Sequence, residues 1–420
     1  MPGLRVLFAV FGEAFVLQIV AVGLIFFLHF VAARLGGPEP YGAFSYALTI
    51  ASFLSVVTSL GLANTSMRFI AGYLETGQWG LLVGLLNRSG QLILSVSLIV
   101  AILLILSSLV FKENARASSI LGAAVLLPVL ALSFWRSAAN RGFQNVRQSL
   151  LPEEVIRPLI FIVVCSLLSI FGKSDSSNVL IASYFFASIC ALIIGIRWLA
   201  SNIALETSKA APQYATRAWL KTSFPMLMAG IFQELLLRAD LIVLGMYSSM
   251  ESTGLYNAAS RLSFLNVFSL RVVDSVIPPQ IAAAYYSGQK SEVKRLIKRG
   301  IFFSTCGSLP VFAVMMAFPE QLLGIFGRSF VAATPYLKIL AFGQFINAMT
   351  GPVGYALLMT GHEKFYRNVM ASSSIASTLV YFWAIPRFGA LGAAWVMCGS
   401  TIFLNLTLLV GVKKKLFTAL

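Results

Sequence analysis

Six ionisable side chains sit inside runs that are otherwise apolar: Glu13, Glu234, Arg238, Asp240, Arg261 and Arg271. A charge at the centre of a bilayer costs about 2.5–3.5 kcal/mol even on the most lenient scale, so such residues face a protein interior or a watery cavity. Arginine offers paired donors that match phosphate oxygens. Arg238, Arg261 and Arg271 therefore read as a cationic lumen for an anionic substrate, with Asp240 and the amides of Gln233 and Asn257 beside them. Arg238 stands about eight residues before the outer end of its helix and Arg261 about seven after the outer end of the next; at about 1.5 Å rise per residue they share a level. A second reading stays open: Glu234 pairs with Arg238 at i,i+4, Asp240 with Arg261 across helices, and Arg271 with Asp274 at i,i+3.

Glu13 is a lone carboxylate in the first apolar run, and with Glu234 it is a candidate for binding and releasing H⁺ or Na⁺. A hydrogen bond to a neighbouring helix is the alternative. Further polar groups in or beside the runs are Gln18, Asn64, Asn87, Asn266, Gln344 and Asn347. They suit either a hydrophilic cleft or helix–helix hydrogen bonding. His29 and His362 are isolated, and Cys165, Cys190, Cys306 and Cys398 all lie in apolar stretches. Neither set has the spacing of a metal or disulfide site, so no cofactor is expected.

The elements that carry these residues are membrane helices. Of 420 residues 58% are hydrophobic and 11% charged, where a soluble chain carries about a quarter charged. Apolar windows long enough to cross a hydrocarbon core fall near 6–34, 42–62, 83–110, 118–138, 154–172 and 178–199. A second set lies near 221–246, 254–274, 300–319, 334–360, 364–385 and 389–412. The expected fold is all-α and polytopic: about twelve transmembrane helices in two six-helix halves around a central cleft. The halves are 1–199 and 221–420, with 200–220 as a cytoplasmic linker. The start of the chain reads as a retained first helix rather than a cleaved signal peptide, because Glu13 interrupts its apolar run.

Charge sets the orientation. The net charge is +16, yet the basic residues gather at helix ends, which marks topology rather than a nucleic-acid partner. With the N-terminus inside, 21 Lys and Arg fall in inside loops against 7 outside. Both termini are thus expected in the cytoplasm of an inner-membrane protein.

The two halves share marks at equivalent places. Arg68-Phe-Ile-Ala-Gly-Tyr-Leu-Glu-Thr-Gly77 parallels Pro279-Gln-Ile-Ala-Ala-Ala-Tyr-Tyr-Ser-Gly288, and Gly42-Ala-Phe44 parallels Gly254-Leu-Tyr256. Halves with an even helix number keep one orientation and are related by an axis along the membrane normal. In Arg34-Leu-Gly-Gly-Pro-Glu-Pro-Tyr-Gly-Ala-Phe44, the glycines and prolines force a tight reversal. Tyr41 and Phe44 are expected at the membrane interface.

These segments resemble the polysaccharide flippases of the multidrug/oligosaccharidyl-lipid/polysaccharide exporter superfamily. The resemblance rests on Arg34–Phe44, Leu60-Gly-Leu62 with Arg68-Phe-Ile-Ala71, Arg238–Gly245, Gly254–Leu262 and Pro386–Trp395, in order along nearly the whole chain. It implies translocation of polyisoprenyl-diphosphate-linked oligosaccharide by alternating access, for O-antigen, capsule or exopolysaccharide assembly. The partners implied are that lipid-linked oligosaccharide, the bilayer, H⁺ or Na⁺, and other polysaccharide-assembly membrane proteins. The alternative is an ion-coupled drug or metabolite exporter of the same superfamily, although intramembrane Arg is as frequent here as Asp and Glu combined. A peptidoglycan-precursor flippase is expected to carry two further helices. A membrane glycosyltransferase needs a sizeable external loop, and the sequence holds no GKS/T loop, HExxH or GxSxG; an enzyme is not expected.

Overall fold

A computed structural model describes residues 20–109, 114–170, 176–203 and 210–417. Glu13 and Gln18 lie outside the described residues. The chain divides into two compact units, Met1–Glu234 and Leu235–Leu420. Among the described residues every regular element is helical.

The first unit contains α1 (Val20–Gly36), α2 (Pro38–Thr58), α3 (Leu62–Thr76), α4 (Trp79–Ser108) and α5 (Asn114–Gly142). It continues with α6 (Val146–Leu151), a π turn over Pro152–Ile156, α7 (Arg157–Ile170) and α8 (Ser177–Ser201). Helix α9 (Thr216–Tyr247) begins in the first unit and runs into the second. The second unit then holds α10 (Met250–Ser263), a 3-10 turn (Phe264–Val267), α11 (Phe268–Tyr286) and α12 (Lys290–Ala317). After these come α13 (Pro319–Gly324), a 3-10 turn (Arg328–Ala333), α14 (Thr334–Thr350), α15 (Val353–Met359) and α16 (Glu363–Val412).

Seven described stretches are long and apolar enough to cross a membrane; two of them, Arg328–Met359 and Glu363–Leu416, include internal breaks. Glu363–Leu416 takes in two of the expected windows. Four other expected windows are not among the seven. The first is described only from Val20, and α7 has 14 residues. Helix α9 carries Glu234, Arg238 and Asp240, and the 254–274 window is broken by a 3-10 turn. The exact count of twelve thus stays an expectation. The outward faces are those of membrane helices: Leu98, Ile99, Ile102, Leu103 and Leu106 on α4 are all about half exposed, which lipid rather than water satisfies.

Small residues set the internal packing. Helix α2 buries Gly42, Ala43, Ala47, Ala51 and Ser55, so the backbones of neighbouring helices approach closely. Tyr41 and Phe44 depart from expectation. Both are fully buried rather than interfacial. Tyr41 Oη lies 3.3 Å from His29 Nδ1, and Phe44 packs on Phe161 and Tyr184 with ring centroids 5.6 Å away in each case. The tight reversal at Gly37 turns these rings inward, where the polar His29 offers Tyr41 a partner that water would otherwise supply.

The sequence parallel recurs in the backbone. Gly77 and Gly288 both take positive φ, +66° and +76°. Gln78 N–H donates to the Tyr73 carbonyl at 3.0 Å, and Gln289 N–H donates to the Ala284 carbonyl at 2.9 Å. These are the same 6→1 helix-ending bond at equivalent positions. In the first unit the preceding helix, α3, is a separate 15-residue piece that the apolar windows did not mark.

Residues expected as a linker dock on α4. Gln213 N–H donates to the Gly80 carbonyl at 2.8 Å, and a Cβ built on Gly84 would stand 1.8 Å from the Gln213 carbonyl oxygen. Nearby, Arg136 is fully buried in α5 and pairs with Glu153. Its other donors reach the Gln148 and Ser149 carbonyls at 2.8 and 3.3 Å. An amide cluster completes the contact: Asn202 donates to Asn140 Oδ1 at 3.0 Å and to Gln148 Oε1 at 2.6 Å. Arg136 is one of the 21 cations assigned to inside loops, but the chain folds α6 and the π turn back over it and buries it.

Two stability predictions follow from these contacts. Gly84→Ala forces the 210–215 segment off α4 and costs about 1–3 kcal/mol, read as a lower melting temperature of the purified protein; unchanged melting contradicts the close approach. Arg136→Met leaves Glu153 buried without its partner and costs about 3–5 kcal/mol. Adding Glu153→Gln recovers much of that loss if the pair is the cause, and none if Arg136 acts only through packing.

Candidate functional site

Arg238 of α9 and Arg261 of α10 both act on Asp240. This carboxylate is 5% exposed. Tyr256 Oη donates to one oxygen at 2.8 Å, and the Leu241 backbone N–H donates to the other at 2.7 Å. Arg261 and Arg238 both stand near enough to act electrostatically on it. Asp240 thereby ties α9 to α10 from within the protein, and the two arginines, each half-buried, flank it. Tyr256, which sequence reading treated only as a repeat landmark, proves to be its hydrogen-bond donor.

The other expected residues scatter. Asn257 is 1% exposed on α10. Glu234 is half-buried and Gln233 exposed on α9; Arg271 is exposed on α11, one turn before Asp274. Asn64 is half-buried on α3, and Asn87 is exposed on α4. Asn266 is fully buried and donates to the Ala341 carbonyl at 3.1 Å, which fits helix–helix bonding.

A polar cavity of about 260 Å³ opens within the second unit. Its walls include Asp274, Gln344, Asn347, Tyr355, Tyr366 and Asn405, with Ser400 and Thr401 alongside. Gln344 and Asn347 were expected as cleft residues, and Asp274 as a partner for Arg271. Asp274 Oδ1 is buried and, among the described residues, accepts no hydrogen bond. Around it the amides hold one another: Asn347 donates to Gln344 at 3.2 Å, Thr350 to Asn405 at 3.1 Å, and Asn405 to the Thr401 carbonyl at 2.9 Å.

The cavity wall includes a helix break. Gly351 has φ +67°, a conformation glycine takes without strain, and Pro352 cannot donate to the preceding turn. A Cβ on Gly351 would meet Ile301 Cγ1 at 2.6 Å. Irregular backbone at membrane depth is tolerated where it is buried in protein or lines a water-filled cavity; Gly351 and Pro352 line this one. Tyr355, Tyr366 and Asn405 were missed in the sequence. Asn405 left a signal, a lone amide in the last apolar run. The tyrosines left none, because only the fold brings α15 and α16 onto α11.

The cavity offers one carboxylate with several amides and hydroxyls. It can bind a polar, hydroxyl-rich headgroup or a cation.

Comparison with known proteins fits this geometry. The chain is 21% identical over 91% of its length to a probable low-salt glycan biosynthesis flippase, Agl15, of Haloferax volcanii, covering 78% of that protein. Its fold is similar to that of the lipid II flippase MurJ in an inward closed conformation, at 16% identity and TM-score 0.73, covering 96% of this chain and 87% of MurJ. It is also similar to an inward-facing multidrug resistance MATE family transporter of the MOP superfamily, at 14% identity and TM-score 0.72, over 96% and 98% of the two chains. A MatE model matches residues 225–383. The polysaccharide biosynthesis protein family model matches residues 11–283, well over half of the chain, and the protein belongs to that family.

Proposed function

We propose that this multi-pass membrane protein flips a lipid-linked oligosaccharide between leaflets for cell-surface polysaccharide assembly. The observation that carries the reading is the cavity beside Asp274, whose wall sets amides and hydroxyls among apolar side chains, inside helices whose outer faces are apolar. Sugar hydroxyls need such donors and acceptors in place of water. Family membership and the flippase name of the Haloferax relative support the same substrate class.

Arg238 and Arg261 supply the positive charge that a diphosphate requires, with Asp240 and Tyr256 holding that region in place. Arg271 receives the headgroup first, on the cytoplasmic side of the membrane. Gln233 and Asn257 add polar groups on α9 and α10. Segments 1–199 and 221–420 act as the two transport halves, 200–220 joins them in the cytoplasm, and both termini lie on that side. Asp274, with Glu234 and Glu13, is the carboxylate set through which H⁺ or Na⁺ drives the cycle.

The test is flipping of a fluorescent diphosphate-linked oligosaccharide lipid in proteoliposomes, scored by protection from an external reagent. Wild type translocates it. Arg261→Ala and Arg238→Ala, at matched folded protein, each slow it about tenfold, the worth of one charge-assisted hydrogen bond. Asp274→Asn abolishes the response to an imposed ion gradient. A wild-type protein that moves no such lipid but exports an organic cation against protons is a drug exporter, and the flippase reading falls.

A further inference from the structure

Helices α11 and α12 form a hairpin whose outward face is a groove. Ser269 Oγ donates to the Ser304 carbonyl at 2.9 Å, and a Cβ on Gly307 would stand 2.6 Å from Ser269 Cβ. This close approach makes a narrow floor. Above it the helices leave a slot of about 800 Å³ walled by Phe268, Val272, Val276 and Phe303. Phe268, Val276 and Phe303 are all exposed, Phe303 by 61%.

The slot is not apolar throughout. Gln280 and Arg299 also line it, and both are exposed. Gly300 faces Val273, with a Cβ there 3.2 Å from Val273 Cγ1. Arg299 and Gln280 therefore lie toward the hairpin turn, while Leu265 and Val311 lie toward the far end. Helix α12 starts at that turn with Lys290, Lys294, Arg295 and Lys298, all exposed, leading up to Arg299. A hydrocarbon slot with one arginine on its wall toward the hairpin turn matches an amphiphile with one long tail and a phosphate head.

Helix α11 divides this slot from the polar cavity. Leu270 and Asp274, at i and i+4, line the cavity; Phe268, Val272 and Val276 line the slot. One helix thus carries a tail-accepting face and a headgroup-accepting face. We propose that the slot is a loading site for the tail of a polyprenyl-diphosphate-linked substrate, with Arg299 contacting the diphosphate before the headgroup enters the cavity. This rests on the flippase reading. A polyprenyl carrier has the one chain that a single slot takes; a two-chain phospholipid is the rival occupant, which competition separates.

The test places a photoreactive residue in the full chain at Val276, as Val276→p-benzoylphenylalanine, in phosphatidylcholine nanodiscs. The probe is tritiated polyprenyl diphosphate, and Ile102→p-benzoylphenylalanine on the lipid-facing side of α4 reports general membrane contact. Labelling at 276 should exceed that at 102. Arg299→Gln should cut it about tenfold, as loss of a charge-assisted hydrogen bond does, and Arg299→Lys should restore much of it. Excess phosphatidylglycerol should not compete. Equal labelling at both positions, full competition by phosphatidylglycerol, or indifference to Arg299→Gln in folded protein overturns the site. Flipping measured on the same preparations separates the two claims: flipping without labelling at 276 removes the loading site alone, and labelling without flipping upholds the slot while removing the transport reading.

Discussion

A bilayer offers backbone and side-chain polar groups no water, so each must find its partner inside the protein. That constraint governs this structure. It keeps every described regular element helical, and it gives Asp240 and Arg136 their surrounds. Asp240 has Tyr256 and the Leu241 amide; Arg136 has Glu153 and two carbonyls. Two of the departures from helix geometry fall on glycine–proline pairs. Gly351 precedes Pro352 beside the cavity, and α16 bends where Gly389, with φ +56°, follows Pro386.

The same constraint sorts polar residues by role. Where amides and hydroxyls satisfy one another locally, as Asn202, Asn140 and Gln148 do, they fasten helices. In the cavity the amides also bond to one another, yet Asp274 Oδ1 accepts no hydrogen bond among the described residues. Unspent hydrogen-bonding capacity at such a place supports the reading of a site that takes its partner from a ligand. Family membership points to polysaccharide biosynthesis.

Much of this was legible in the sequence because it is local. Apolar runs give the membrane class, and Gly77 and Gly288 end helices by the same hydrogen bond in both units. Composition could not show which way an aromatic points: Tyr41 and Phe44 suit an interface equally well, and only their packing on His29, Phe161 and Tyr184 decides for the interior. Arg136 looked like a loop cation because the segment that covers it returns from twelve residues and more along the chain. The cavity was half visible. Gln344 and Asn347 stand out against apolar neighbours, whereas Tyr355 and Tyr366 reach Asp274's surroundings through long-range packing that no periodicity encodes.

The central claim is that the second unit encloses a water-accessible polar cavity in a membrane protein. Single cysteines placed at Asn347 and Thr401, in a protein whose native cysteines are replaced by serine, test it with a charged, membrane-impermeant thiol reagent. Leu379→Cys, on an exposed apolar face, serves as the lipid-facing reference. The account predicts that Asn347→Cys and Thr401→Cys react and are protected by a diphosphate-linked oligosaccharide lipid, while Leu379→Cys stays unmodified. Cavity cysteines as unreactive as Leu379→Cys would contradict it.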